Sequence, residues 1–376
     1  MRAITQLRPG GPEELVIAEV PTPEPGPGEV RIAVAAAGVN RADILQRRGF
    51  YPPPPGVTDI LGLEVAGVID AVGPGVGPAP GAPATGTVPA PGTAPAPGTA
   101  PGTASAPGTA PAGAVATAPA PTPGIAAPTP APAVGDPVVA LLSGGGYAEY
   151  AIVPAGQCAP LPPGIDMTHA GALMETAATV VSNFDHIGLT GAETILIHGG
   201  AGGIGTFAIP YARYLGLTVI TTVGSPAKAE YAARLGADAA IDYHGDWPDA
   251  VRQVTGGRGV DAILDIIGAK YLEANVSLLA RGGRMVIIGL QGGTKATLDL
   301  SAVLSRSATI TATSLRFRPA AEKAAIVRAV AERVWPLYSS RTLDLPPVTA
   351  FPLEQAGAAH ERLDSGANTG KIVLTV

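Results

Sequence analysis

The residues best placed to do chemistry are glycines. Thr194-Ile-Leu-Ile-His198 is a short β-branched run that stops at Gly199-Gly-Ala-Gly-Gly-Ile-Gly205, and a helical pattern begins at Thr206. Gly200, Gly202 and Gly205 keep the G-x-G-x-x-G spacing. At that spacing the first glycine permits a tight turn, the second lets backbone approach a pyrophosphate, and the third lets the helix pack closely on the strand. The helix N-terminus adds free N–H groups and the positive end of a dipole. In a chain with 50 glycines the spacing alone says little, but between a strand and a helix it predicts a dinucleotide site. One helix later comes a second strand, Thr218-Val-Ile-Thr-Thr-Val223. An NAD site usually carries an Asp or Glu after this strand. Here Gly224-Ser225-Pro226 stands there, followed by Lys228. No carboxylate repels a 2′-phosphate, while a hydroxyl and an ammonium are near, so NADPH is expected in preference to NADH. Ser225 is also suited to cap the helix starting at Pro226, and the two roles are compatible.

The elements that must position these residues follow from periodicity. Residues 167–187 read as helix, after which strands alternate with helices. The strands are Thr194–His198, Thr218–Val223, Ala239–Asp242, Ala262–Ile267, Arg284–Leu290 and Thr309–Leu315. This alternation indicates an α/β fold with a doubly wound parallel sheet, whose ligand sits at the carboxyl ends of the strands. Pro210 falls inside the helix behind the glycine loop and cannot donate to the carbonyl of Thr206, so a kink is expected there. Residues 1–76 instead alternate in the β manner, with Pro and Gly clusters between runs and a short helix over 40–49. The strand pattern resumes at 136–142 and 147–154. Near the end, a helix at 322–334 is expected to stop at Pro336. A shorter one at 353–363 leads to a closing strand at 371–376, which takes the tail back to the N-terminal β unit. The expected divisions are 1–165, 166–300 and 301–376.

Between them lies a stretch of different character. From Ala71 to Gly135 there is no charged or aromatic residue, and four Pro-Gly-Thr-Ala units begin at Pro91, Pro97, Pro101 and Pro107. Such a segment has little to bury against its ordering entropy. Residues 77–134 are therefore expected to be a disordered surface insertion in a loop of the β unit. For the rest, a net charge of −6 argues against nucleic-acid binding. The single cysteine, Cys158, excludes an internal disulfide and a four-cysteine zinc site. No signal pattern opens the chain and no apolar run reaches membrane-spanning length, so a cytoplasmic protein without membrane partners is expected.

With these pieces in order, the chain resembles the zinc-independent NAD(P)H quinone oxidoreductases of the medium-chain dehydrogenase/reductase superfamily, in particular those related to the p53-inducible protein. The matching stretches are Gly38-Val-Asn-Arg-Ala-Asp-Ile-Leu-Gln-Arg-Arg-Gly49, Tyr51-Pro-Pro-Pro-Pro-Gly56 and Ile60-Leu-Gly-Leu-Glu-Val-Ala-Gly67, with the glycine loop, Gly256-Gly-Arg-Gly-Val-Asp-Ala-Ile-Leu-Asp265 and Gly370-Lys-Ile-Val-Leu374. They span nearly the whole chain outside 77–134. The resemblance implies a GroES-like β catalytic domain built from both chain ends around a Rossmann domain. The active site would lie in the cleft between them, and Thr309–Leu315 would be the edge strand of a homodimer.

The resemblance also implies roles. Asn40 and Tyr51 would line the cleft and contact the nicotinamide or the acceptor, and Tyr51 could donate a hydrogen bond or proton to a developing oxyanion. Beside four prolines, Tyr51 is equally placed simply to pack its loop. Asp43 is expected to orient its helix. Gly200, Gly202 and Gly205 would hold the cofactor with Ser225, Lys228 and Tyr243 on the adenosine-phosphate side. Thr179 would face the nicotinamide, and Gly289 would pass its ribose. His244 follows Tyr243 where relatives often have Lys or Arg, which weakens phosphate attraction at high pH. Zinc-dependent relatives use an early Cys, a His in Gly-His-Glu, and a later Cys or acid. This chain has Asn40 in Gly-Val-Asn-Arg and Leu63 in Gly-Leu-Glu, neither an ordinary zinc ligand. The histidines show no ligand spacing, and His198 reads as a packing residue. Without a metal to polarise a carbonyl, the expected acceptor is already electrophilic: a quinone, with activated C=C bonds as the alternative. From a different class, a cofactor-binding protein with little turnover also fits the sequence.

Overall fold

The computed structural model describes residues 1–77 and 131–376. The insertion expected at 77–134 therefore lies outside the described residues, apart from its ends. The N-terminal part runs β1 (Arg2–Gln6), β2 (Leu15–Glu19), β3 (Glu29–Val39), α1 (Arg41–Arg47), β4 (Glu64–Val72), β5 (Pro137–Leu141), β6 (Tyr150–Pro154) and β7 (Cys158–Pro160). Next come α2 (Met167–Ala170), α3 (Met174–His186), β8 (Thr194–His198), α4 (Gly203–Tyr214), β9 (Thr218–Val223), α5 (Pro226–Arg234), β10 (Ala239–Asp242) and α6 (Trp247–Val254). They are followed by β11 (Val260–Asp265), α7 (Leu272–Leu278), β12 (Leu279–Ile287), α8 (Leu300–Arg306) and β13 (Thr309–Ala312). The tail holds α9 (Ala320–Arg333), α10 (Trp335–Ser339), β14 (Val348–Pro352), α11 (Ala356–Asp364) and β15 (Lys371–Thr375).

Two sheets organise the site. The catalytic sheet has the order β14-β15-β3-β4-β5-β7, with β6 also pairing β3. β3 alternates buried and half-buried side chains along most of its length, the period-2 signature of a sheet with one face on a core. That core includes Ile32, Ile69, Leu61, Tyr147 and Leu374. β4 and β5, the strands flanking the insertion, pair directly from Glu64↔Leu141 to Val68↔Pro137. The β unit is thus continuous across that stretch. β15 pairs antiparallel with β3, Ile372 opposite Val39, so the tail does return to the N-terminal unit.

The second sheet is parallel, in the order β10-β9-β8-β11-β12-β13. The order reverses beside β8, as in a doubly wound fold, and the crevice at the carboxyl ends opens there. α3, α4 and α9 cover one face, with Phe184, Tyr211 and Val330 in the shared core.

Several boundaries differ from those expected from the sequence. The helix expected over 167–187 is two helices. A Cβ on Gly171 would stand 2.8 Å from the Cβ of Ala36, so the connector lies against β3 and the chain turns before α3. The division expected at 300 cuts through the parallel sheet: β13, the expected sixth strand, pairs with β12 but spans only residues 309–312, not 309–315. α9 ends at Arg333, one residue from the expected 334, but Pro336 also sits in the first turn of a new helix, α10, where a missing N–H costs nothing. α4 runs as one helix through Pro210.

Candidate active site

The glycine loop is shaped by three different constraints. Gly199 has φ +80°, and the N–H groups of Gly199 and Gly200 both donate to the carbonyl of Thr222, which folds the loop back on β9. A Cβ on Gly200 would strike the Thr221 side chain. A Cβ on Gly205 would lie 2.5 Å from the Cα of Gly200, so helix and loop touch backbone to backbone. Gly202 is exposed, and a Cβ there would approach only the carbonyl oxygen of Gly199, at 3.5 Å. Its open side is where a ligand's phosphates would approach. The next residues begin α4, whose first-turn N–H groups have no helical partner and point the same way.

Past β9, Gly224 lies under Tyr243, whose ring would collide with any Cβ there. Ser225 caps α5, its Oγ accepting from the N–H of Lys228 at 3.3 Å. Lys228 Nζ donates to the carbonyl of Gly366 at 2.6 Å, which anchors the strand-ending side of the crevice to the tail. The structure thus gathers Gly224, Ser225, Lys228 and Tyr243 at the ends of β9 and β10. It also adds Asp242, which has no role in the sequence motif. Asp242 Oδ1 accepts from the backbone N–H of His244 and lies 2.7 Å from its Nδ1, and these bonds lower the carboxyl below its ordinary value. On the opposite side Gly289 follows β12, where a Cβ would stand 2.8 Å from the carbonyl oxygen of Ile266.

In the cleft, Asn40 precedes α1 and both ends of its amide are engaged. Nδ2 donates to Glu64 Oε1 at 2.9 Å, and Oδ1 accepts from Lys371 Nζ at 2.6 Å. The Lys371 ammonium also reaches Glu64 Oε1 at 2.8 Å and Thr176 Oγ1 at 3.1 Å. Glu64 Oε2 in turn accepts the N–H of Glu175 at 2.9 Å. The Lys371 stem lies against the glycine loop, its Cδ 3.0 Å from where a Cβ of Gly203 would be. The buried pair Lys371–Glu64 therefore joins catalytic sheet, α3 and glycine loop. Sequence reasoning gave neither residue a role. A lysine inside an otherwise apolar closing strand was the available signal.

Asp43 does orient α1. It accepts from the N–H groups of Asn40 (2.8 Å) and Gly62 (3.1 Å) and from the Tyr147 hydroxyl (3.2 Å). Complete burial nevertheless raises it to about 6. Tyr51 is half-buried, and burial raises its hydroxyl above the ordinary value. That hydroxyl lies 2.8 Å from Ser314 Oγ. Its ring meets Phe317 edge-on at 5.4 Å, and Arg316 lies over it at 5.4 Å. Tyr51 thus both packs its loop and turns a hydroxyl toward the segment after β13. Thr179 sits on α3 with its hydroxyl donating to Glu175 Oε1 at 3.3 Å. His198 is a satisfied core residue: its Nδ1 lies 3.0 Å from Thr222 Oγ1 and its Nε2 2.8 Å from Asn275 Oδ1.

Residues 26–163 match the model of the alcohol dehydrogenase GroES-like domain, and residues 203–331 that of the zinc-binding dehydrogenase domain. The quinone oxidoreductase of Pseudomonas aeruginosa is 29% identical over 367 residues, which covers 97% of this chain and 96% of that protein. A mycobacterial structure complexed with NADPH superposes with a TM-score of 0.78 at 27% identity, covering 100% of both chains. The two models together span most of the chain, which is similar throughout to quinone oxidoreductases of the medium-chain dehydrogenase/reductase superfamily. It is also 28% identical over 352 residues to the phthioceranic/hydroxyphthioceranic acid synthase of Mycobacterium tuberculosis. That match covers 92% of this chain but only 14% of the synthase's length.

The second matched model is described as zinc-binding. Among the described residues, however, no three His, Cys, Asp or Glu side chains group in a way that could hold a metal ion. Leu63 is buried, and the space between Asn40 and Glu64 is bridged by the Lys371 ammonium. Also among the described residues, no helix is long and apolar enough to cross a membrane.

Proposed function

We propose that this chain is an NADPH-dependent oxidoreductase that reduces quinones without zinc. The observation that carries the reading is the glycine loop, where Gly202 is exposed, the first turn of α4 leaves its N–H groups free, and Lys371 ties the loop to Asn40 and Glu64. The residues fit the cofactor. Gly200, Gly202 and Gly205 would hold the pyrophosphate with α4, and Ser225, Lys228 and Tyr243 would hold the adenosine-phosphate side. Thr179 and Gly289 would flank the nicotinamide end. The lack of an acid at Gly224-Ser225 supports NADPH over NADH. The bound cofactor supplies the hydride.

The protein's own part is to position and to stabilise charge. Lys371 fixes Asn40 and Glu64, and so fixes the cleft wall against the glycine loop. Tyr51 would offer its hydroxyl to the acceptor oxygen. A quinone suits such a site because its reduced oxyanion is stabilised by the aromatic ring, and modest polar help suffices.

The test is NADPH and NADH oxidation by purified protein with ortho-quinones, para-quinones and alkenals, together with elemental analysis. Quinone-dependent turnover favouring NADPH, with no stoichiometric zinc, is expected. Turnover on alkenals alone would make the chain a reductase of activated C=C bonds. Tight NADPH binding with no turnover would make it a binding protein.

A further inference from the structure

Glu175 is out of character with its helix. In α3, Met174 and every residue from Thr176 to Phe184 are buried, whereas Glu175 keeps contact with solvent. It stands in the first turn of the helix and is only partly exposed. Its backbone N–H is fixed by Glu64 at 2.9 Å, and its carboxylate is fixed by the Thr179 hydroxyl at 3.3 Å. The carboxyl is thereby held beside the residue assigned above to the nicotinamide end. It is also close enough to Tyr51 for its charge to act on that hydroxyl. No described salt bridge neutralises it, since Lys371 makes its short contacts with Asn40, Glu64 and Thr176.

We propose that Glu175 is the proton donor of the reduction. The inference rests on the hydride-transfer reading above. The acceptor takes a hydride from the cofactor, whose C–H bond breaks, and its carbonyl oxygen takes a proton from Glu175, whose O–H bond breaks. The product is the neutral hydroquinone. Glu175 is left as carboxylate and recovers a proton from the water that its partial exposure lets it reach. The charged and titratable groups that act on it are Lys371 on β15, Glu64 on β4 and Asp43 on α1, and its own charge acts on the Tyr51 hydroxyl, which also feels Arg316. Burial raises Glu175 to about 7, with Glu64 and Asp43 adding to the rise and Lys371 opposing it. A carboxylic acid is thus available near neutrality, where an ordinary one would already be ionised.

The experiment measures kcat against pH from about 5.5 to 9 with a para-quinone, for wild type, E175Q, E175D and Y51F. NADPH affinity is read separately by fluorescence titration. In the wild type, kcat should fall about tenfold per pH unit above the Glu175 break. E175Q should lose about 100-fold in kcat and the break with it, at unchanged NADPH affinity. E175D should restore part of the rate and a break, and Y51F should keep the break. The proposal is overturned if E175Q retains the break, if Y51F rather than E175Q abolishes it, or if E175Q loses rate only in proportion to lost NADPH binding. A wild type with no quinone turnover at all would instead overturn the hydride-transfer reading.

Discussion

At the residue scale, His198 and Lys371 show what a single sequence reveals and what it hides. His198 ends a strand just before the glycine loop, a position that invites a catalytic role, yet the scattered histidines of the sequence point to packing. The structure encloses it completely, between Thr222, Asn275, Trp247 and Tyr271. Burial lowers it to about 4. Its ordinary value in the unfolded chain is about 6.5. A base depressed on folding adds stability that is present above the unfolded value and is lost as pH falls toward the folded one. Unfolding free energy should therefore drop by about 1.4 kcal/mol per pH unit between about 6.5 and 4 on account of His198. Denaturant titrations of wild type and H198Q across this window should differ by that slope. Parallel curves would mean that the ring is not neutral and enclosed. Lys371 is not legible in this way. Its partner Glu64 lies 307 residues away, and no local pattern announces a pair that only the return of the tail brings together.

At the element scale, period and punctuation are legible: β8, β9 and β10 begin and end where the alternation predicts. The differences are contact-dependent. The break between α2 and α3 comes from Gly171 lying against Ala36. The early start of β12 comes with a register shift between Val260 and Ala262 on β11. Neither is written in the helix or strand period. The glycine loop separates two roles that the motif lumps together. A methyl at Gly205 meets the backbone of Gly200 at 2.5 Å, so loop and helix must move apart. A methyl at Gly202 meets little protein and would occupy the space above the loop. G205A should therefore lower the melting temperature by several degrees, with a stability loss of about 1–3 kcal/mol. G202A should melt as the wild type does while weakening NADPH about tenfold or more. Calorimetry and cofactor titration on the two variants separate these outcomes. Equal losses of stability would refute the assignment of Gly202 to ligand approach.

At the scale of the whole molecule, the doubly wound sheet ends in β13, which has β12 on one side and nothing described on the other. An open edge presents unpaired N–H and C=O groups to any second chain. The N–H of Thr313 donates to the carbonyl of Ile287 of β12, at 3.1 Å. By the two-residue period of a strand, the backbone groups of Thr311 and Thr309 face β12 as well, and Ile310 and Ala312 turn theirs outward. The chain also exposes Leu300 and Leu304 of α8, the helix leading into β13, at 72% and 82%, which is a large apolar surface to leave in water. We propose that a second copy of the chain covers both, pairing edge to edge. Sedimentation should then give twice the mass of one chain. A312P removes an outward donor without touching the ladder to β12, because proline is tolerated on the free side of an edge strand. It should shift the protein to monomer, make its melting independent of concentration and leave its fold intact by circular dichroism. L304E should weaken the dimer through the apolar patch alone. A dimer that survives both substitutions would place the interface on another surface, and the edge of β13 would then be protected only by its shortness, four residues from Thr309 to Ala312.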